Sequence, residues 1–192
     1  MGEIRITGGE FRGRKIKVPR GVRPTSARLR EALFSILGER VLDAVVLDLF
    51  AGSGALGLEA LSRGARYAVF AEKGGGQVEV LRRNIASLGL RERARAVRGN
   101  WRRIVARLSE EERRKFDLVL ADPPYGFWEA GNAGTKLLRL STDFDIVAGN
   151  GILVVERPAR APLQGVASGF ESILERAYGD SMLSFYHKGG SA

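Results

Sequence analysis

From residue 44 onward, short apolar segments typical of buried strands alternate with longer segments of helical periodicity. The predicted strands are 44–50, 67–72, 93–99, 116–121 and 151–156. The helices predicted between them are 54–63, 76–88, 100–115 and 134–141. Strands separated by helices form a parallel sheet with helices on both faces, so the sequence predicts an α/β fold. Segments 170–178 and 181–188 are predicted to add an antiparallel pair, which gives a mostly parallel seven-stranded sheet.

The first forty residues follow a different pattern. Residues 3–18 alternate loosely around a Gly-Gly pair and end at Pro19, which predicts a β-hairpin or two short strands. A helix follows, with Thr25 or Ser26 as its cap and Gly38 as its stop. We therefore divide the chain into a small N-terminal hairpin and helix extension, residues 1–40, and a catalytic domain, residues 41–192.

Positive charge is concentrated in this extension. The chain carries a net charge of +9, and residues 1–40 hold ten Lys/Arg against four Asp/Glu. Such a segment suits the phosphates of a nucleic acid, although a solvated basic face on an arginine-rich protein is the alternative. Cations near the start of the predicted helix oppose its dipole, a cost that is explained if an anion binds there. The candidate contacts are Arg5, Arg12, Arg14, Lys15, Arg23, Arg28 and Arg30.

Composition argues against several other classes of protein. Without cysteine there is no disulfide framework and no thiolate metal site, and a single histidine, His187, excludes a His-rich zinc site. We therefore expect no metal. No apolar run has the length of a membrane span, and the N-terminus has no apolar signal segment. We expect a cytoplasmic monomer without membrane contact.

The segment FDLVLADPPY, residues 116–125, ends a predicted strand with Asp122, two prolines and Tyr125. Proline fixes φ and donates no backbone N–H, so this turn is stiff and its carbonyls stay available. Asp122 and the carbonyl of Pro123 could accept the hydrogens of a planar NH₂ group while Tyr125 stacks on the ring that bears it. A guanine or adenine amine is such a group. An ordinary strand exit would explain Asp122 and one proline, but neither the second proline nor Tyr125.

The glycine-rich stretch GFWEAGNAG, residues 126–134, follows this acceptor turn. Two interpretations stay open: the stretch closes over a substrate, or it is a plain surface loop.

A second motif, Gly52-x-Gly54-x-x-Gly57, follows a strand and opens a helix, with Glu72 twenty residues past Gly52. Alone, this spacing matches the dinucleotide-binding fingerprint. Asp48 disfavours that interpretation, because a pyrophosphate avoids a neighbouring anion. A cofactor with a cationic end fits better. S-adenosylmethionine has an ammonium, a sulfonium and a ribose diol for Glu72.

The stretch DLFAGSGALGLEALSRGA together with DPPY resembles the Rossmann-like class I methyltransferases that methylate amines. With IRITGGEFRGRKIKVP and RPTSARLREALFSIL, residues 3–156 resemble the bacterial RsmD family, which methylates N2 of a guanine in 16S ribosomal RNA. The resemblance implies S-adenosylmethionine as cofactor, with S-adenosylhomocysteine as product, and 16S rRNA or the assembling small ribosomal subunit as partner. The implied catalytic residues are Asp122, Pro123 and Tyr125. The implied cofactor residues are Asp48, Phe50, Ala51, Gly52, Ser53, Gly54, Glu72, Asn100 and Asp122.

Within that family Glu72 corresponds to the ribose ligand and Asn100 to the residue beside adenine. This chain departs from the family pattern at two positions. Trp101 stands where family members often have a small residue, and Gly74 stands where they often have an acid.

Other functions remain alternatives. A DNA or RNA adenine-N6 methyltransferase could use the same acceptor turn, although a DNA enzyme normally needs a larger target-reading domain. A protein-glutamine methyltransferase would be expected to carry Asn at position 122. A non-enzymatic RNA-binding module leaves the acceptor turn without a role, and an NAD enzyme leaves both Asp48 and the turn without one.

Overall fold

The computed structural model describes residues 2–22, 24–111, 115–129, 133–161 and 169–189. The chain divides into two compact units, Met1–Ile104 and Val105–Ala192. The predicted division at residue 40 stays a prediction about organisation, and segment 1–40 lies within the first unit. Among the described residues, no helix combines the length and apolar character that crossing a membrane requires.

The first unit begins with an antiparallel hairpin of strands β1 (Gly2–Arg5) and β2 (Lys15–Val18), as predicted. Helix α1 (Ala27–Leu37) follows, and the Ser26 side chain accepts the Leu29 N–H as its cap. Gly38 ends the helix with a φ of 54°, a conformation that favours glycine. Both predicted ends of this helix are confirmed. A short 3₁₀ turn, Gly38–Val41, leads to the sheet.

The rest of the first unit alternates strands and helices: β3 (Val45–Leu49), α2 (Ala55–Ser62), β4 (Tyr67–Glu72), α3 (Gly75–Ser87) and β5 (Ala94–Arg98). Its strands are parallel, in the order β5-β4-β3. Every residue of β3 and of α2 is buried, because α2 packs on β3 and β4. Helix α4 (Trp101–Glu111) follows β5 in the chain.

The second unit contains β6 (Phe116–Ala121), the short helices α5 (Tyr125–Trp128), α6 (Ala133–Leu138) and α7 (Leu140–Phe144), and then β7 (Val147–Pro158), β8 (Phe170–Tyr178) and β9 (Ser181–Lys188). Strands β6 and β7 are parallel, and β9 pairs antiparallel with both β7 and β8, in the order β6-β7-β9-β8. Strands β3 to β9 form one seven-stranded sheet, so the predicted fold class is confirmed.

Several predicted boundaries are corrected. The helix predicted over 134–141 is two helices, α6 and α7, with Arg139 between them at a ψ of 0°. The stretch 126–134 is partly helical, since α5 covers its first residues, while residues 130–132 lie outside the described residues. Of the helix predicted over 100–115, the structure describes Trp101–Glu111 as helical and Lys115 as not helical, and residues 112–114 lie outside the described residues. Strand β7 begins at Val147, four residues before the predicted 151, beside a register shift in its pairing with β6.

Candidate cofactor and acceptor sites

The loop between β3 and α2 is a tight turn built on left-handed backbone. Gly52 and Gly54 have φ values of 55° and 82°, and Phe50 has a φ of 62°. The loop is fixed by hydrogen bonds from the Ala51 N–H to the Ala71 carbonyl at 3.1 Å and from the Gly54 N–H to the Ala51 carbonyl at 2.6 Å. An aromatic residue in the left-handed region is a strained conformation, and such strain clusters at ligand sites.

Packing requires two of the motif glycines. A Cβ at Gly54 would clash with the Leu81 side chain, and a Cβ at Gly57 would clash with the ring of Phe70. Gly57 therefore permits the close approach of α2 to the sheet, the role of the third glycine in a dinucleotide-binding fingerprint. Ser53 is buried, and its carbonyl accepts a hydrogen bond from Asn84 Nδ2 at 2.9 Å.

Glu72 closes this loop with both carboxylate oxygens. Oε2 accepts the Gly52 N–H at 2.9 Å, and Oε1 accepts the Gly74 N–H at 2.7 Å. A carboxylate has about four acceptor positions, and the Glu72 side chain is only half-buried. The geometry therefore leaves acceptor capacity for two hydroxyl groups, which is what a ribose diol requires. Gly74, at the position where the resemblance led us to expect an acid, contributes a backbone N–H to Glu72.

Asp48 makes a structural contact with the start of α2. It is 2% exposed, and its Oδ2 accepts the N–H of Gly57 in the first turn of α2 at 2.9 Å. Gly54, at the N-cap of α2, has no side chain with which to cap the helix, so Asp48 satisfies one of its first N–H groups. A carboxylate at this end of a helix is also favoured by the helix dipole. Contact with the cofactor's ammonium stays a prediction.

Asn100 precedes α4, and Trp101 is the first residue of that helix. The exposed Asn100 accepts the Arg102 N–H through Oδ1 at 3.0 Å, as a helix cap does. The Trp101 ring lies 5.9 Å from the Phe50 ring, at 52° to it, and is 9% exposed. The indole of Trp101, at the position where the resemblance led us to expect a small residue, thus packs against the strained residue of the glycine loop. The contact of Asn100 with adenine stays a prediction.

The acceptor turn leaves β6 in the second unit. Asp122 is half-buried, Pro123 is buried, and Tyr125 is 56% exposed. Pro124 caps α5, and its carbonyl accepts the Phe127 N–H at 2.8 Å. That bond occupies the Pro124 carbonyl, which leaves the Pro123 carbonyl as the acceptor predicted for a substrate amine. The exposed ring of Tyr125 can present a face to a base.

Most of the predicted basic contacts are exposed in the first unit. Arg5 donates to the Gly13 carbonyl at 2.9 Å, Arg14 to the Ser87 carbonyl at 3.0 Å, and Lys15 pairs with Glu3 at 2.9 Å. Arg12 and Arg28 are exposed as well. Arg23 lies outside the described residues.

Arg30 is different, and its burial contradicts the predicted contact with RNA phosphates. The side chain is 1% exposed, with Nη1 3.1 Å from Glu59 Oε2 and Nη2 donating to the Arg5 carbonyl at 2.9 Å. Burial lowers the pKa of the Arg30 guanidinium, while the charge of Glu59 acts to raise it. The reason is its position in α1, because Arg30 shares the buried face of the helix with Leu33, Phe34 and Leu37.

Glu59, the partner of Arg30, was not predicted from the sequence. Glu59 is 0% exposed and accepts from five donor groups: the Thr7 N–H and Oγ1, the Gly8 N–H, Arg30 Nη1 and Arg63 Nε, at 2.6–3.1 Å. This carboxylate joins the β1–β2 hairpin segment, α1 and α2. A single charged residue inside the apolar helix ALGLEALS was the available signal.

Comparison with known proteins connects these features to a family. Residues 4–187 match the family described as Conserved hypothetical protein 95. The chain is 36% identical over 191 residues to the Escherichia coli K12 protein "Ribosomal RNA small subunit methyltransferase D", covering 97% of this chain and 91% of that protein.

Solved structures agree with this match. The structure of "Putative methyltransferase yhhF" from Escherichia coli superimposes with a TM-score of 0.85 at 35% identity, over 99% of this chain and 100% of that one. An O-methyltransferase from Bacillus cereus, solved with S-adenosylhomocysteine, has a TM-score of 0.69 at 12% identity, over 89% of this chain and 84% of that one. This second likeness concerns the fold alone.

Proposed function

This chain belongs to the RsmD family of S-adenosylmethionine-dependent methyltransferases, and we propose that it methylates the exocyclic N2 amine of a guanine in 16S ribosomal RNA. The observation that carries this proposal is the acceptor turn. A carboxylate, a proline carbonyl and an exposed tyrosine ring follow one another in Asp122-Pro123-Pro124-Tyr125, inside a chain of this family.

The residues of the first unit fit the proposed cofactor. Glu72 has acceptor capacity left for a ribose diol after binding the N–H groups of Gly52 and Gly74. The glycine loop lets backbone approach a ligand closely, and we assign Phe50, Ala51, Ser53 and Asn100 to the same pocket. When bound, S-adenosylmethionine supplies an electrophilic methyl group on its sulfonium.

In the proposed mechanism the acceptor turn orients the amine. The lone pair of an exocyclic guanine nitrogen is delocalised into the ring, which makes that nitrogen a poor nucleophile. Asp122 and the Pro123 carbonyl accept its two hydrogens and favour a pyramidal nitrogen, while Tyr125 stacks on the base. Positioning of this kind supplies much of the rate, since no strong base is needed to remove a proton from the very acidic methylated ammonium.

The basic N-terminal segment provides the proposed RNA contacts. A base that enters the active site must first unstack from its neighbours in the RNA, and this unstacking costs a few kcal/mol. Phosphate contacts from exposed arginines such as Arg12, Arg14 and Arg28 offset that cost. A ribosomal substrate also places the protein in the cytoplasm.

Mass spectrometry of nucleosides from 16S rRNA tests the proposal. We expect a strain without this gene to lack one N2-methylguanosine that the wild-type strain contains, and a plasmid copy to restore it. A matched plasmid with Asp122→Ala should fail to restore it. Loss of N6-methyladenosine instead, from RNA or from DNA, would contradict the guanine assignment and support the adenine alternative.

A further inference from the structure

A groove in the first unit lies between the β1–β2 hairpin and the start of α1. It has a volume of about 510 Å³, which is within the range of small-ligand sites. One wall is the hairpin and the loop that connects its strands, and the other is the N-terminal turn of the helix. Its lining residues include Ile4, Arg5, Arg12, Pro24, Ala27 and Arg30.

The charged side chains at the groove favour an anion. Arg5 and Arg12 are both exposed, and Arg5 is oriented by its bond to the Gly13 carbonyl. Glu31 is the one acid among the residues that line the groove in the described structure. Two exposed guanidinium groups on one wall supply the charge and the hydrogen-bond donors that a phosphate prefers.

The N-terminus of α1 forms part of the opposite wall. This helix has eleven residues, and Ser26 satisfies the N–H groups of Leu29 through its hydroxyl and of Arg30 through its carbonyl. The first two N–H groups, those of the exposed residues Ala27 and Arg28, are left for other acceptors. Such N–H groups, together with the positive end of the helix dipole, bind phosphates in many proteins.

Arg30 gives independent evidence for a ligand. This side chain lines the groove and is only 1% exposed. Its Nε is buried and has no hydrogen-bond partner within the described part of the chain. Buried donors are nearly always satisfied, so an unsatisfied one in the wall of the groove points to a partner outside the chain, such as a water or a group of a bound ligand.

The groove is also preformed. Arg30 bridges its two walls, because Nη2 donates to the Arg5 carbonyl of the hairpin while the residue itself belongs to α1. Nη1 is held by Glu59, which is fully buried. A site whose walls are joined in this way needs little reorganisation to bind a ligand.

We propose that this groove holds one nucleotide of the substrate RNA, with its phosphate between Arg12 and the N–H groups of Ala27 and Arg28. The volume exceeds what a phosphate alone needs, and the apolar side chains of Ile4 and Pro24 offer contact to the sugar and base. This assignment rests on the proposed function, since the RNA that the groove would bind is the substrate of that function.

Opposite charges at Ala27 test the proposal without disturbing the fold. Ala27→Asp places an acid in the first turn of α1, which the helix dipole favours, so the helix stays intact. We expect its affinity for a 16S rRNA transcript to fall about fivefold at low salt, as for one charge about 4 Å from a phosphate in water. Ala27→Lys should raise that affinity, and Arg12→Glu should lower it and reduce the slope of log K against log salt by about one.

Arg91→Glu is the matched control, because Arg91 is exposed and does not line the groove. Equal RNA affinities and salt slopes for Ala27→Asp, Ala27→Lys, Arg91→Glu and the wild type would overturn the groove assignment. Methyl transfer to 16S rRNA by the wild type in the same samples would show that the proposed function survives. Saturable binding of guanosine 5′-monophosphate that Ala27→Asp abolishes, without any change in RNA affinity, would assign the groove to a free nucleotide and overturn the proposal as well.

Discussion

Two carboxylates of the first unit, Glu59 in α2 and Glu72 at the end of β4, both accept backbone N–H groups, yet their surroundings differ. Glu59 is completely buried and accepts from five donor groups, two of them guanidinium groups. Glu72 is half-buried and accepts two N–H groups of the loops beside it.

The difference separates a structural carboxylate from one that we propose binds a ligand. All acceptor positions of Glu59 are used, and no ligand can reach it, so its role is to hold the N-terminal segment on α2. Glu72 keeps acceptor positions that face a partly open surface, so a ligand can complete its coordination. Saturation by internal donors, rather than charge, therefore distinguishes the two roles.

Removal of Glu59 should have the largest effect on stability. We expect Glu59→Ala to lower the free energy of unfolding by about 3–5 kcal/mol, because the buried guanidinium of Arg30 loses its counter-charge. Denaturant titration at neutral pH measures this. Glu79→Ala is the control, since the Glu79 side chain is 70% exposed and its pair with Arg83, at 3.7 Å, should contribute only about 0.5 kcal/mol.

Equal losses for Glu59→Ala and Glu79→Ala would show that the buried network does not anchor the segment. Glu59→Gln sharpens the result, because an amide keeps one acceptor oxygen but lacks the charge. Its stability should lie between those of the wild type and Glu59→Ala.

Removal of Glu72 should have a smaller effect than removal of Glu59, and it should lower cofactor affinity rather than stability. Glu72→Ala deletes hydrogen bonds of a charged acceptor, so we expect the affinity for S-adenosylhomocysteine to fall about tenfold to a hundredfold. Calorimetry measures the affinity, and Glu72→Gln should lose less. An unchanged affinity in Glu72→Ala would contradict the assignment of Glu72 to the ribose.

The sequence predicted best what depends on local chemistry. Thr25 or Ser26 and Gly38 were predicted as the ends of α1, and the structure uses Ser26 and Gly38, because capping and left-handed stops are properties of single residues. Strands β4 and β6 have the predicted bounds, since their apolar runs are uninterrupted and flanked by polar or proline-containing turns. The glycine motif and the acceptor turn were likewise predicted from residues that lie close together in the sequence.

Contacts between distant residues were not predictable from the same signals. Glu59 binds Arg30 and Thr7, which are 29 and 52 residues away in the chain, and no local pattern pairs them. The burial of Arg30 was predictable, because positions 30, 33, 34 and 37 follow the i, i+3, i+4, i+7 spacing of a buried helix face. Charge alone suggested an exposed contact, and helical phase contradicts it.

Single-turnover methyl transfer to a 16S rRNA transcript by Asp122→Ala tests the central claim most directly, because it separates the chemical step from cofactor binding. With saturating S-adenosylmethionine we predict a rate about 100–1000-fold below the wild type, as for the loss of one preorganised polar group in an active site. The affinity for S-adenosylhomocysteine should be nearly unchanged, and Asp117→Ala, at an exposed position of β6, should keep the wild-type rate. A wild-type rate in Asp122→Ala would contradict the acceptor-turn mechanism.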